Sequence, residues 1–326
     1  LLVFLLRRFL NSIPTLILAS MLIFFVIQLA PGDFLTPARL NPAISPQQLE
    51  NLRRSFGLDQ PPVIQYFTWI KNVVQGDLGL SFQYQQPVLA IAWPRILNSL
   101  YLVALYLVLF YAIAIPLGVY GAVKQYTLGD KISSGVMYFL LGFPSFFLAL
   151  IVLYGIVQLR FATGWAIPTG GMTSDNYSTL GTFGRFWDIF KHILLPALVV
   201  AVGDVAGFTR ILRGQMLEYL RADFVRTARS KGASEFIVIY KHTLRNAIIP
   251  FVAGLGGQLP ALISGAGFVE VVFAYPGITP MLLDSINARD LYLIAGFNIL
   301  TVALLIIGNA ISDILLSVVD PRIRYS

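Results

Sequence analysis

Long uninterrupted apolar runs restrict this chain more than any other feature of its sequence. The first is Phe9–Ala30, and further runs lie at Leu97–Ala122, Ser133–Gln158, His192–Ile211, Ala247–Val269 and Leu291–Val318. A bilayer core of about 30 Å is crossed by roughly 20 apolar residues in a helix. In hydrocarbon, backbone polar groups are satisfied only within a helix or a closed barrel, and barrel strands are alternating segments of only about 10 residues. Runs of this length therefore predict an all-α membrane protein with six transmembrane helices. Composition agrees, since 57% of the 326 residues are hydrophobic and only 12% are charged, against about 25% charged in soluble domains. Cysteine is absent, which excludes a disulfide framework and thiolate metal sites.

The first run follows Arg7 and Arg8, as the apolar part of a signal peptide does. It is too long for one and ends in Pro31-Gly32-Asp33 without a small-residue cleavage pattern, so it reads as a retained helix. Residues 1–30 then form the tail and first span. Residues 31–96 are a polar-to-mixed outer segment, in which Ser45 is placed to cap a helix opened by Pro46. Residues 97–326 carry the other five spans. No internal repeat is visible. The formal charge of +7 has meaning only loop by loop. With six spans both termini share one side, together with 123–132 and 210–245. Those segments hold 14 of the 23 Lys and Arg in far fewer residues than the other side, which holds 9. The basic side, with both termini, is expected to be cytoplasmic. Trp69, Trp93, Trp165 and Trp187 all fall on the opposite side.

The longest basic loop, 212–246, interrupts the apolar pattern between spans four and five. It reads as two short helices broken at Gly232, a residue free to take positive φ and end a helix. Ser234 follows as an N-cap, and Glu235 stands in the first turn, where an acid suits the helix dipole. The turn projects a small, partly apolar knob of Ala233, Phe236 and Ile237. Such a loop either rests on anionic lipid headgroups or docks a cytosolic partner.

The residues of this loop resemble the EAA loop of bacterial ABC importer permeases in the dipeptide/oligopeptide/nickel family. The matching positions are Asp223, Val225, Arg226, Thr227, Ala228, Arg229, Lys231, Gly232, His242, Leu244, Arg245, Asn246, Ala247 and Pro250. The similarity extends to Leu29-Ala-Pro-Gly-Asp33, Gly57-Leu-Asp-Gln-Pro61, Gly76-Asp-Leu-Gly79-x-Ser81, the Glu270-to-Gly277 segment, Arg289-Asp290 and Pro321-Arg-Ile-Arg324. Thr279, and Leu291-Tyr292 after Arg289-Asp290, depart from the family's usual Gly and Pro. The resemblance implies a type I ABC importer permease fold in a bacterial inner membrane. It also implies a second homologous permease, two ABC ATPase subunits and an extracytoplasmic substrate-binding protein. No nucleic acid is implied.

The sequence has no Gly-x-x-x-x-Gly-Lys-Ser/Thr phosphate loop. The resemblance thus implies a non-catalytic subunit that binds no cofactor itself, with ATP and Mg used by its partners. Its ATPase-coupling residues are expected to be Arg226, Thr227, Ala228, Arg229, Lys231, Gly232, Ala233, Ser234, Glu235, His242, Arg245 and Asn246. Two acids are pathway candidates. Asp204 is the only acid deep within a span and faces either a substrate cation or an interhelical hydrogen bond to the partner permease. Glu270, at the outer end of span five, is placed to gate the pathway, contact the binding protein or sit at the interface. His192 and His242 lie on opposite sides and cannot share a metal. The expected substrate is a di- or oligopeptide, with nickel or glutathione as alternatives within the family. From composition alone, an ion-gradient-driven secondary transporter is the rival.

Overall fold

The computed structural model describes residues 2–29, 32, 35–39, 44–55, 57–165, 167–252 and 266–319. In chain order its helices are α1 (Leu2–Leu29), α2 (Thr36–Arg39), α3 (Pro46–Ser55), α4 (Pro62–Val74), α5 (Val88–Val123), α6 (Leu128–Leu141), α7 (Ser145–Thr163), α8 (Thr182–Leu220) and α9 (Asp223–Ser230). A π-helix (Ile237–Leu244) runs into α10 (Arg245–Ala247), followed by α11 (Gly267–Val272), α12 (Ile278–Ala288) and α13 (Leu291–Val319). Among the described residues the only extended pairing is an isolated bridge between Leu80 and Pro87.

Five described helices are long and apolar enough to cross a membrane: α1 over Leu10–Leu29, α5, α7, α8, and α13 over Leu291–Ile314. Three of them contain the expected second, fourth and sixth spans, and α1 covers the first as far as Leu29. The expected fifth, Ala247–Val269, lies largely at 253–265, outside the described residues. The third differs from expectation. Ser133–Gln158 is not one helix but the end of α6 and most of α7, separated at Gly142-Phe143-Pro144. Pro144 lacks an N–H and disfavours helical geometry at the residue before it, and it adopts φ −58° and ψ 143° at the N-cap of α7. The 19 residues of α7 reach about 28 Å, while the 14 of α6 reach only about 21 Å and cannot span alone.

The described residues group into two compact bodies, one within 1–98 and 277–310, the other within 99–276 and 311–326. In the first, α1 packs on α4 through Phe24, whose ring stacks on Trp69 at 5.5 Å. The polar residues of this contact pair with each other: Ser20 with the Tyr66 hydroxyl at 2.9 Å, and the Gln28 amide donating to Gln65 at 3.0 Å. The helix expected after Ser45 opens with a reciprocal capping box. Gln48 N–H donates to the Ser45 hydroxyl, and Ser45 N–H donates to the Gln48 side chain.

Two stretches far apart in sequence meet in this body. The Asp290 carboxylate is fully buried and caps α13 by accepting the N–H of Leu293 at 3.2 Å. It also accepts the Ser81 hydroxyl at 2.6 Å and the Gln83 N–H at 3.0 Å. Just before Ser81, Gly79 adopts φ +95°, and a Cβ there would come within 3.2 Å of the Tyr292 ring. The 76–81 turn is thereby clamped to the start of α13.

In the second body, α5 and α8 share a core that includes Leu102, Tyr106, Phe110, Ala197, Val200, Phe208 and Leu212. Gly118 permits their close approach, because a Cβ there would meet Leu212 at 2.8 Å. A polar knot closes the basic end. Asp130, 3% exposed, accepts Arg213 Nη2 at 2.8 Å and Tyr126 N–H at 2.9 Å, while Arg213 Nε donates to the Gly121 carbonyl at 3.0 Å. Thr127 caps α6 by accepting the Asp130 N–H, so one short turn ties α5, α6 and α8 together.

Burial with three donors makes Asp290 the most vulnerable polar group of the first body. Asp290→Ala leaves Ser81, Gln83 and Leu293 without their acceptor and should cost about 3 kcal/mol, read as a lower unfolding midpoint in detergent. An unchanged midpoint contradicts this role.

Candidate functional site

The loop after α8 is built from a helix, a left-handed turn and a second helix. α9 opens at Asp223, a stabilising charge at a helix N-terminus. It ends in a Schellman motif: Ala233 N–H donates to the Ala228 carbonyl at 3.1 Å, and Gly232 N–H to the Arg229 carbonyl at 2.9 Å. Gly232 has φ +78°, and a Cβ at this position would meet nothing within 4 Å. The glycine is required by backbone conformation, not by crowding. Ser234 stands before the next helix, and its carbonyl accepts the Val238 N–H at 3.0 Å.

One strut across the turn holds its two sides together. Arg229 grips Glu235 in a bidentate pair, Nε donating to Oε1 at 2.9 Å and Nη2 to Oε2 at 3.2 Å. These hydrogen bonds hold the Glu235 carboxyl below the ordinary carboxylate range. The pair is therefore intact at neutral pH and is lost only as acid brings the pH down through that lowered value. Arg226 approaches Asp223 at 3.4 Å, both side chains largely exposed, and Thr227 donates to the Asp223 carbonyl at 2.9 Å.

The knob has an anchored side and an open side. Val225 and Val238 are fully buried and fix the two helices against the body. On the open side Phe236 is 70% exposed, and its ring lies 4.7 Å from that of Tyr240. Ile237 is also exposed. Directly after Phe236 the backbone becomes a π-helix of eight residues that carries Tyr240, a rare geometry that concentrates at functional sites. Buried Thr243 donates to the Val238 carbonyl at 2.9 Å, and Asn246 donates to the His242 carbonyl at 2.6 Å. His242 and Asn246 thus lie within the second helix and not at the tip, while Lys231 and Arg245 are exposed.

The structure does not bring the two expected pathway acids to this loop. Asp204 sits midway along α8, exposed on its surface, and accepts the Tyr106 hydroxyl of α5 at 2.9 Å. An interhelical hydrogen bond is thus made within the chain. Glu270 is 1% exposed, and its carboxylate accepts the Ser99 hydroxyl of α5. Its side chain is part of the packing of this body. His192 is buried as well, with Nδ1 2.8 Å from the Asp188 carbonyl.

Two features were missed in the sequence. The Asp130–Arg213 knot had a local sign in Thr127-x-x-Asp130, the spacing of a cap with an acid in the first turn. The Arg229–Glu235 strut had none, because their separation of six residues means nothing until the turn at Gly232 closes it.

A polytopic helical membrane protein with a partly apolar loop folded about a left-handed turn is a defined class of protein. Residues 114–325 match the family of binding-protein-dependent transport system inner membrane components, and residues 1–104 match its N-terminal region. The chain belongs to this family and is a multi-pass inner-membrane component. It is 38% identical to the oligopeptide transport system permease protein AppB of Bacillus subtilis, over 99% of both chains. It is 32% identical to the dipeptide transport system permease protein DppB of Alkalihalophilus pseudofirmus, over 98% of both. It is 34% identical to the glutathione transport system permease protein GsiC of an Escherichia coli O6:H1 strain, over 99% of both.

The strut and the left-handed turn set how readily the loop opens. Glu235→Gln removes the charge of the strut, and Gly232→Ala costs about 1 kcal/mol or more at positive φ. In inside-out vesicles both variants should be cleaved by trypsin after Arg229 several-fold faster than the parent. Equal rates contradict the strut.

Proposed function

We propose that this chain is one of two permease subunits of an ATP-driven importer of di- or oligopeptides, with six spans and with both termini and the loop 212–246 on the cytoplasmic side. The observation that carries the proposal is the knob: an exposed apolar tip on a turn fixed by a Schellman motif and an ion pair. The chain has no phosphate loop of its own, so a rigid element facing the cytoplasm is suited to receive motion generated elsewhere. Two cytosolic ATPases that bind ATP and Mg would supply that motion by closing on one another. A rigid loop anchored through Val225 and Val238 passes a rigid-body displacement to α8 and thence to the spans.

In this reading the exposed Phe236, Ile237 and Tyr240 seat in the ATPase, and Arg226 and Lys231 set register. The strut keeps Arg229 and Glu235 for the turn itself. The second permease and an extracytoplasmic binding protein complete the assembly. Relatives named for oligopeptide, dipeptide and glutathione transport favour a peptide substrate over nickel. All three share a backbone amide and, at neutral pH, an ammonium and a carboxylate.

Asp204 is the pathway group of this proposal. An exposed carboxylate midway along a spanning helix is costly against lipid and belongs beside water or a partner. Tyr106 fixes one of its oxygens, and the carboxylate can still attract a peptide ammonium.

Proteoliposomes holding the assembled transporter and its binding protein test both parts. Gly232→Pro excludes the positive φ and removes the N–H bonded to Arg229, and should abolish peptide-stimulated ATP hydrolysis while membrane insertion is retained. Asp204→Asn should lower peptide uptake about tenfold with stimulated hydrolysis retained. Normal stimulation in the first variant overturns the coupling, and normal uptake in the second removes Asp204 from the pathway.

A further inference from the structure

The two longer helices of the outer segment differ in what they expose. No residue of α3 is buried, and its Asn51, Arg53 and Arg54 are exposed. α4 has two apolar faces. One holds Gln65, Tyr66 and Trp69, all buried. The opposite face carries Val63, Ile64, Phe67 and Val74, which are 48–84% exposed. Phe67 stands three and four residues from Ile64 and Val63 and seven from Val74, so all four share one side of the helix.

α1 supplies a depth scale for this helix. Its apolar stretch ends at Leu29, and it meets α4 at three levels. Gln28 bonds Gln65 at 3.0 Å, the Phe24 ring stacks on Trp69 at 5.5 Å, and Ser20 pairs with the Tyr66 hydroxyl at 2.9 Å. At about 1.5 Å per residue these three positions lie about 2, 8 and 14 Å inside the end of that stretch, against about 15 Å for half a hydrocarbon core. α13 gives a second scale. Tyr66 and Trp69 share a buried cluster with Leu291 and Ala295, in the first two turns of the last spanning helix. Around the same levels α1 exposes Leu18, Leu22 and Val26 by 56–66%, as a helix against lipid does.

We infer that α4 is seated in the leaflet at the C-terminal end of α1, with Val63, Ile64, Phe67 and Val74 against lipid acyl chains. Its 13 residues reach about 20 Å and cannot span. The depth of its Trp69 contact falls within the ~5–10 Å at which helices lie along the headgroup boundary. Pro62 brings no N–H to the first turn, which suits a helix end with little water around it. Lys71, exposed on the same side, reaches the headgroups through its long apolar stem. Trp69 Nε1–H donates to the Leu78 carbonyl at 3.0 Å, so a lipid-seated α4 also holds the clamped 76–81 turn at the membrane. Seating of α4 depends on the membrane that the spans require, and on neither the substrate nor the cytoplasmic coupling.

Because the chain lacks cysteine, a nitroxide can be placed at Phe67→Cys, Ile64→Cys or Asn51→Cys, one at a time. The labelled chain is assembled with cysteine-free partner subunits and reconstituted in phosphatidylcholine vesicles. Power-saturation electron paramagnetic resonance reads collisions with oxygen, which concentrates in hydrocarbon, and with a neutral nickel chelate, which stays in water. The oxygen-to-chelate ratio should be several-fold higher at Phe67→Cys than at Asn51→Cys on α3. Ile64→Cys reads the same face and should agree. A ratio equal to that on α3 puts the face in water and overturns the seating. Low collision with both reagents means that a protein, such as the second permease, covers the face, and overturns the assignment to lipid.

Discussion

A bilayer offers no partner to a polar group, and the arrangement of this chain follows from that restriction. The polar side chains on its apolar helices are matched in pairs: Ser20 with Tyr66, Gln28 with Gln65, and Asp204 with Tyr106. The pairs are interhelical, so the groups that cannot face lipid also specify which helices touch. At the basic end the same rule produces the Asp130–Arg213 knot. A deletion on either side of such a buried pair strands the other charge and costs about 3–5 kcal/mol. Stability in these bodies comes from apolar packing, and their polar pairs select the register.

The loop after α8 obeys different physics because water can reach it. Backbone conformation and local hydrogen bonds set its shape. Gly232 alone supplies the positive φ that lets α9 end and the next helix begin, and Arg229 with Glu235 locks the two sides. An exposed ion pair contributes little to overall stability; here its effect is geometric, since it ties the end of α9 to Glu235 across the turn. The coupling proposed for this loop requires an element that resists bending, and a Schellman turn with a bidentate strut provides stiffness over few residues.

Local signals were legible in the sequence and pairings at a distance were not. The turn at Gly232, the cap at Ser45 and four of the spans follow from rules that act within a helical turn or within a run of about 20 residues. The break at Gly142–Pro144 was also local, but the apolar run continues on both sides of it and hides it in any average over hydropathy. Glu270 read as an outer acid because nothing in its neighbourhood announces Ser99 171 positions away. Asp290 and Ser81 stood out separately as motif residues, yet only the fold shows that one caps α13 for the other's turn. The family was legible in the loop, whose matching residues are neighbours in the chain.

The proposed coupling requires the exposed tip at Phe236 to seat in a cytosolic ATPase. The absence of cysteine from the sequence makes a single introduced thiol the one thiol of this chain. With Phe236→Cys in the assembled transporter, a short thiol-reactive crosslinker with a photoactivatable arm should join the permease to an ATPase subunit, while Phe67→Cys, on the segment proposed to lie outside, should give no such product. Crosslinks from Phe236→Cys to lipid alone, with no ATPase adduct, would contradict the account.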